Sequence, residues 1–373
     1  MKIYDLPTPV FLVDLDILEG NINEAAKLAR DFGKRIWPMV KTHKSTEIAA
    51  MQKAAGAEGF LVGTLLEAER LVEKGFTDIM LAYPVAGREN LKRVVRLAQK
   101  ARIILSIDCV EAAREINFAL EESGVALEYL IIIDSGLGRF GVLPEDAAKL
   151  ARELRTLKAL KLIGISTHPG HVYGASRPEE VEKIARQEIQ ALKTAADILE
   201  KEDINLEIIA TGSTPTFRHV LEDNRINILR PGNYVFYDSI QVALGVVAFE
   251  RCAFSVMGTV ISSPRPGNLI LDVGSKCLGL DRGAHGISMV KGFGTVVGHH
   301  ELTLVSLSEE VAKVEVEGKT ELKVGDKVRI IPNHACAACN MTSYLVGYRG
   351  EDVEKIIEVD MRNGSKTPIE NIF

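Results

Sequence analysis

The sequence predicts an α/β protein, a (β/α)8 TIM-type barrel followed by a C-terminal all-β domain. Three observations lead there. Short β-branched runs alternate with longer amphipathic stretches over about 240 residues. Later runs such as Tyr129–Ile133 are continuously apolar, as parallel strands buried on both faces are. After about residue 245 the helical period stops, and strand-like segments are joined by turns rich in Gly, Pro and Asp.

In chain order, the first strand candidate is 10–14, followed by a helical pattern from Ile17 to about Phe32. Eight further strands are expected at 36–41, 59–63, 78–83, 102–107, 127–134, 161–167, 206–211 and 226–230. Helical patterns fill most of the gaps, as where Leu91, Val94, Val95 and Ala98 form one apolar face. Eight βα units meet the requirement of a barrel. A doubly wound open sheet alternates in the same way, so periodicity alone leaves both architectures open. The count leaves 10–14 unused, free to pair with the C-terminal sheet. That sheet is expected to hold strands at 256–262, 269–273, 294–297, 301–307, 311–316 and 327–331. The chain therefore divides into a barrel domain at 1–245 and a β-domain at 246–373.

The 373 residues are 46% hydrophobic and 26% charged, with a formal net charge of −6. A chain of this length buries a full core without disulfides. The acidic balance argues against nucleic-acid or anionic-membrane partners, and no apolar run approaches the ~20 residues of a membrane span. The opening Met1–Asp5 carries no apolar signal region. Five cysteines are an odd number in a large chain, which suits a reducing cytoplasm.

In a barrel, chemistry gathers at the C-terminal ends of the strands, and polar groups follow nearly every strand here at that end. Lys41 closes the first barrel strand in a Lys-Thr-His-Lys run, and Tyr83 follows the third. Arg139 follows the fifth in Asp-x-Gly-x-x-Arg-x-Gly, while His168 and His171 follow the sixth. Burial among cations would lower the Lys41 pKa and leave a nucleophilic amine; the alternative is an ordinary surface lysine. Its strand neighbours Trp37 and Met39 share its parity and favour burial. After the seventh strand, Thr211, Gly212, Ser213 and Thr214 offer hydroxyls and a glycine amide where a helix would begin, a setting that suits phosphate or serves as a plain N-cap. Arg230, Gly232, Asn233 and Tyr234 follow the eighth strand, and two arginines at a barrel mouth suit an anionic cofactor or a substrate carboxylate.

In the β-domain, His334 and Cys336 stand at i, i+2, a spacing that points both side chains the same way on an extended segment. Imidazole with thiolate favours zinc, and two protein ligands would leave positions open for water or substrate. Cys336 and Cys339 also form a CxxC, which keeps redox, structural-zinc and plain buried-cysteine readings open.

Taken in order, Lys-Thr-His-Lys, Asp-x-Gly-x-x-Arg-x-Gly, Thr-Gly-Ser-Thr-Pro-Thr, Arg-Pro-Gly-Asn-Tyr, Asp-Val-Gly-Ser-Lys and Pro-Asn-His-Ala-Cys resemble the fold-type III pyridoxal 5′-phosphate (PLP) enzymes. The similarity is to the D-threonine aldolase and D-serine dehydratase group, distant relatives of alanine racemase. It implies a PLP-binding barrel, a β-domain completed by an N-terminal strand, and a homodimer. By motif, Lys41 matches the lysine that carries PLP, and Thr211–Thr214 the phosphate-binding turn. His168 matches the residue at the face of the pyridine ring and Arg139 a group near its phenolic oxygen. Arg230 and Tyr234 match positions toward the ring nitrogen and phosphate, and His334 with Cys336 the metal pair. His-x-Cys resembles the zinc-dependent dehydratases, whereas the aldolases typically carry His-x-Asp. One departure is Val311-Ala312, where relatives usually place His-Gly.

The resemblance implies a PLP- and zinc-dependent lyase, with zinc replaceable by another divalent metal, acting on a small D-3-hydroxy amino acid. β-Elimination to a 2-oxo acid and ammonia is the leading reaction, and retro-aldol cleavage to glycine and an aldehyde the alternative. An amino-acid racemase, a non-catalytic PLP carrier and a zinc-stabilised binding protein are further alternatives.

Overall fold

The computed structural model describes residues 1–284 and 288–362. The N-terminal part runs β1 (Val10–Asp14), α1 (Leu15–Asp31), β2 (Arg35–Ile36), α2 (Thr46–Ala54), β3 (Phe60–Val62), α3 (Leu65–Glu73), β4 (Asp78–Leu81), α4 (Arg88–Ala98), β5 (Arg102–Ile107), α5 (Val110–Ser123), β6 (Leu127–Ile132), α6 (Ala147–Leu154), β7 (Leu160–Ser166), α7 (Pro178–Glu200), β8 (Ile208–Thr211) and β9 (Ile228–Leu229). Helix starts follow local chemistry. The Asp14 carboxylate accepts the amides of Asp16 and Ile17 at the head of α1, and Ser45 and Thr64 cap α2 and α3 in the same way.

Strands β2 to β9 are parallel, in the order β2-β9-β8-β7-β6-β5-β4-β3, and a Met39–Leu61 bridge joins the two ends. This resolves the choice that periodicity left open: the sheet curls into a barrel. Trp37, Met80, Ile104, Leu130, Ile163 and Ile208 fill its interior as one apolar cluster, so the lumen is a packed core and a site of the kind barrels carry belongs at its rim.

The remainder runs α8 (Ser239–Ala243), β10 (Phe254–Arg265), β11 (Asn268–Leu271), α9 (Ser275–Leu278), β12 (Thr295–Val296), β13 (Leu302–Leu307), β14 (Ala312–Val316), β15 (Lys327–Ile331), α10 (Ala335–Cys339), β16 (Tyr344–Arg349) and β17 (Asp352–Glu358). Among the described residues these strands and β1 form one mixed sheet. Strand β1 lies between β10, antiparallel with Val10 opposite Met257, and β16, parallel with Leu12 opposite Val346. The N-terminus thereby ties the β-domain to the barrel.

Several local expectations change. Lys41 does not end a strand: β2 stops at Ile36, backbone pairing continues only as far as the Met39–Leu61 bridge, and Val40–Thr42 then form a 3-10 turn. No helix begins at Thr211–Thr214; a run of hydrogen-bonded turns follows β8 instead. Strands β16 and β17 fall outside the expected set. The His334–Cys336 segment is not extended either, since His334 caps the five-residue α10.

Candidate active site

The turn Val40–Thr42 places Lys41 at the floor of a cleft in the barrel mouth. The cleft is also lined by Tyr83, Arg139, His168, Gly212, Ser213, Thr214, Arg230, Gly232, Asn233, His334 and Cys336. The structure thus brings together eleven of the thirteen candidate residues, counting Lys41 and leaving Tyr83 aside, from both parts of the chain. The other two, Thr211 and Tyr234, are buried behind it. The Tyr234 amide donates to Thr214 Oγ1 at 3.1 Å, and its hydroxyl accepts from Gln52 Nε2 at 2.9 Å. Thr211 turns its hydroxyl away to Glu188.

Lys41 Nζ donates to Tyr83 Oη at 3.5 Å. Burial pushes the ammonium down, but the Tyr83 phenol and the Cys336 thiol outweigh it, so the pKa lies above the usual lysine value. This is opposite to the sequence expectation. The phenol and thiol neighbours dominate where cations were expected, and Arg139 adds only the smallest of the effects, in the same lowering direction as burial. Arg139 itself is exposed on the rim, its guanidinium 5.5 Å from the Tyr83 ring centre.

On the opposite wall the turn is shaped by Gly212, whose φ of +125° leaves the region open to L side chains. Ser213 Oγ lies 3.1 Å from Thr216 Oγ1. Arg230 is buried and donates Nη2 to the Thr167 carbonyl. Burial pushes its guanidinium down to about 10, against the pull of Glu188. Asn233 Nδ2 donates to Asp238 Oδ2 at 2.5 Å, and the same oxygen accepts the Ala335 amide at 2.9 Å. One buried carboxyl thus links the barrel loop to the His334–Cys336 segment.

A second link runs through the Lys41 turn. Thr42 Oγ1 lies 3.1 Å from Cys336 Sγ, and Cys339 Sγ donates to the His43 carbonyl at 3.4 Å. The two cysteines of the CxxC therefore grip successive residues beside Lys41, with Cys336 facing the cleft and Cys339 fully buried. Burial opposes a Cys336 thiolate, but His334, Lys41 and Thr42 hold the thiol below its usual value. His334 titrates well above the usual imidazole range: burial lowers it, but Cys336 and Asp281 outweigh that. Its Nδ1 pairs with Asp281 Oδ2 at 2.7 Å, which leaves Nε2 for a metal in the carboxylate–histidine pattern. The donor set is imidazole plus thiolate, and among the described residues no group of three or more His, Cys, Asp or Glu is arranged to hold a metal. For a zinc ion held by His334 and Cys336, Asp281→Asn is expected to weaken affinity about 10–100-fold, measured by competition with a chromogenic chelator.

Sequence reasoning left Tyr83 and Tyr173 without a role, though both follow strands and both line the cleft. Tyr173 packs with Gln241, whose Nε2 donates to its hydroxyl at 3.4 Å. Nothing local to Asp281 or Asp238 marks either residue. Val311 lies in the turn between β13 and β14, where its carbonyl accepts the Ser308 amide, and it is not among the residues lining the cleft. All five cysteines are free thiols, and no described helix is long and apolar enough to cross a membrane.

Comparison with known proteins matches this geometry. A family model described as alanine racemase, N-terminal domain, covers residues 13–239, and one described as putative serine dehydratase domain covers 253–348. The chain is 33% identical over 350 residues to a D-threo-3-hydroxyaspartate dehydratase of Delftia sp. strain HT23, spanning 89% of this chain and 91% of that one. It is 28% identical over 368 residues to a D-serine dehydratase of Dictyostelium discoideum, spanning 91% and 93%. A solved D-threonine aldolase from Filomicrobium marinum superposes with a TM-score of 0.89 at 25% identity over 97% of both chains.

Proposed function

Because the chain belongs to the alanine racemase N-terminal domain family, here joined to a serine dehydratase domain, we propose that it is a PLP- and divalent-metal-dependent lyase that eliminates the β-hydroxyl of a D-3-hydroxy amino acid, yielding a 2-oxo acid and ammonia. The observation that carries this reading is the meeting of Lys41 and Cys336 at one floor: the Thr42 hydroxyl beside Lys41 bonds the Cys336 thiol, and each group shifts the other toward its charged form.

The residues fit PLP. The cleft offers a half-buried amine, together with a turn carrying the Ser213 and Thr214 hydroxyls and the buried Arg230 cation. Bound there, PLP supplies an electron sink for the pair left at Cα. Imidazole and thiolate from His334 and Cys336 fit zinc better than manganese or magnesium, and a metal on them would supply a Lewis acid for the β-oxygen. As the neutral amine, Lys41 would take the α-proton, with Tyr83 holding its Nζ in place. With PLP bound, Ser213 and Thr214 would hold its phosphate, His168 would pack against the ring, and Arg139 at the rim would receive negative charge. The packed barrel core behind Lys41 keeps bulk water on the open side only. Free thiols suit a reducing cytoplasm, and the family resemblance favours a homodimer.

The test is turnover of paired enantiomers by the PLP- and zinc-loaded protein. Pyruvate and ammonia from D-serine, with neither from L-serine, support the proposal. Interconversion of the serine enantiomers without ammonia would instead indicate a racemase.

A further inference from the structure

Helix α7 buries a stripe that includes Val181, Ala185, Leu192 and Leu199. Position 188 belongs to that stripe by spacing, yet it holds a glutamate whose side chain is fully buried. An ionised carboxylate in such a place is costly unless something there uses it. Glu188 accepts a hydrogen bond from Thr211 Oγ1, and the Thr216 hydroxyl and Gly212 amide also face its carboxyl. Thr216 in turn lies 3.1 Å from Ser213 Oγ and accepts the Ser213 amide at 3.3 Å. The same carboxyl is the anionic partner of buried Arg230. Glu188 thus stands directly behind the turn and touches none of the open cleft.

We propose that Glu188 is a positioning residue for the cofactor's phosphate. Through Thr211, Gly212 and Thr216 it fixes the turn so that Ser213 and Thr214 face the anion. This rests on the reading of Thr211–Thr214 as the phosphate-binding turn. Burial pushes the carboxyl up to about 7, so a proton on it would relieve repulsion from an incoming phosphate while keeping one oxygen for Thr211.

The test compares two ligands on the full-length protein stripped of cofactor: PLP, and pyridoxal, which lacks the phosphate. Binding is followed by the absorbance of the bound aldehyde. Wild type is expected to prefer PLP; equal affinities would overturn the phosphate reading of the turn itself. Given that preference, Glu188→Leu should weaken PLP about tenfold or more and leave pyridoxal unchanged, while Glu188→Gln, which keeps an acceptor for Thr211, restores most of the difference. Undiminished preference in Glu188→Leu, or equal weakening of both ligands, overturns the inference. If that variant does not fold, Thr211→Val decides. It keeps the side-chain shape and loses only the hydroxyl donated to Glu188, so it should lose PLP preference in the same way; full retention overturns the proposal.

Discussion

Lys41→Ala is expected to lower kcat/KM by about 10³-fold or more while leaving the circular dichroism spectrum of the protein unchanged. The size follows from the environment. Lys41 is the lysine that lines the cleft, and it is held between the Tyr83 hydroxyl and the Cys336 thiol. On the proposed reading both the nucleophilic and the proton-transfer work depend on that one amine, and alanine supplies neither. Adding an external amine such as ethylamine should restore part of the lost rate, and the rescue should grow as the pH rises and more of the added amine is unprotonated. A variant with more than a tenth of the wild-type rate would place the base elsewhere.

The second large effect is expected at His334. Alanine there removes one of the two proposed metal donors and also strips Cys336 of the neighbour that does most to hold its thiol below the usual pKa. The remaining thiol is half-buried at the cleft and binds metal only after losing its proton. Zinc affinity should fall by more than the ~10–100-fold typical of an outer-shell change, and turnover should fall with it. Metal content after dialysis and single-turnover rates measure the two losses. Chelation of the wild-type protein should abolish turnover without moving the melting temperature by more than a few degrees. A structural metal would unfold the protein when removed; here α10 is held without one, through Asp238, Thr42 and His43.

Much of this architecture was legible because it is written in local pattern. Continuous apolar runs gave away parallel strands, and the polar residues that follow them lie at one rim, which is why Lys41, Ser213 and Arg230 could be named from sequence. Local pattern misled at Lys41, where a strand was expected over 36–41 but pairing stops after Met39 and Val40–Thr42 form a 3-10 turn. Strand β17 was missed because its pattern is inverted by exposure: Ile356 is 55% exposed on the sheet's outer strand, so no clean apolar alternation results. The residues least visible are those whose partners are far away in sequence. Asp281 stands 53 positions from His334, and Asp238 stands 97 from Ala335. Glu188 did leave a trace, a carboxylate in the apolar stripe of an amphipathic helix, but its partner Thr211 is 23 residues away.

The central claim is that this cleft breaks the bond between Cβ and oxygen and leaves the carbon chain whole. D-Threonine labelled with ¹³C at both Cα and Cβ tests it most directly, because carbon NMR of the products reports whether those two atoms are still joined. The account predicts doubly labelled 2-oxobutyrate, with the carbon–carbon coupling retained and one ammonia released per turnover. Singly labelled glycine and acetaldehyde, with the coupling lost, would contradict it and make the protein an aldolase in spite of Cys336.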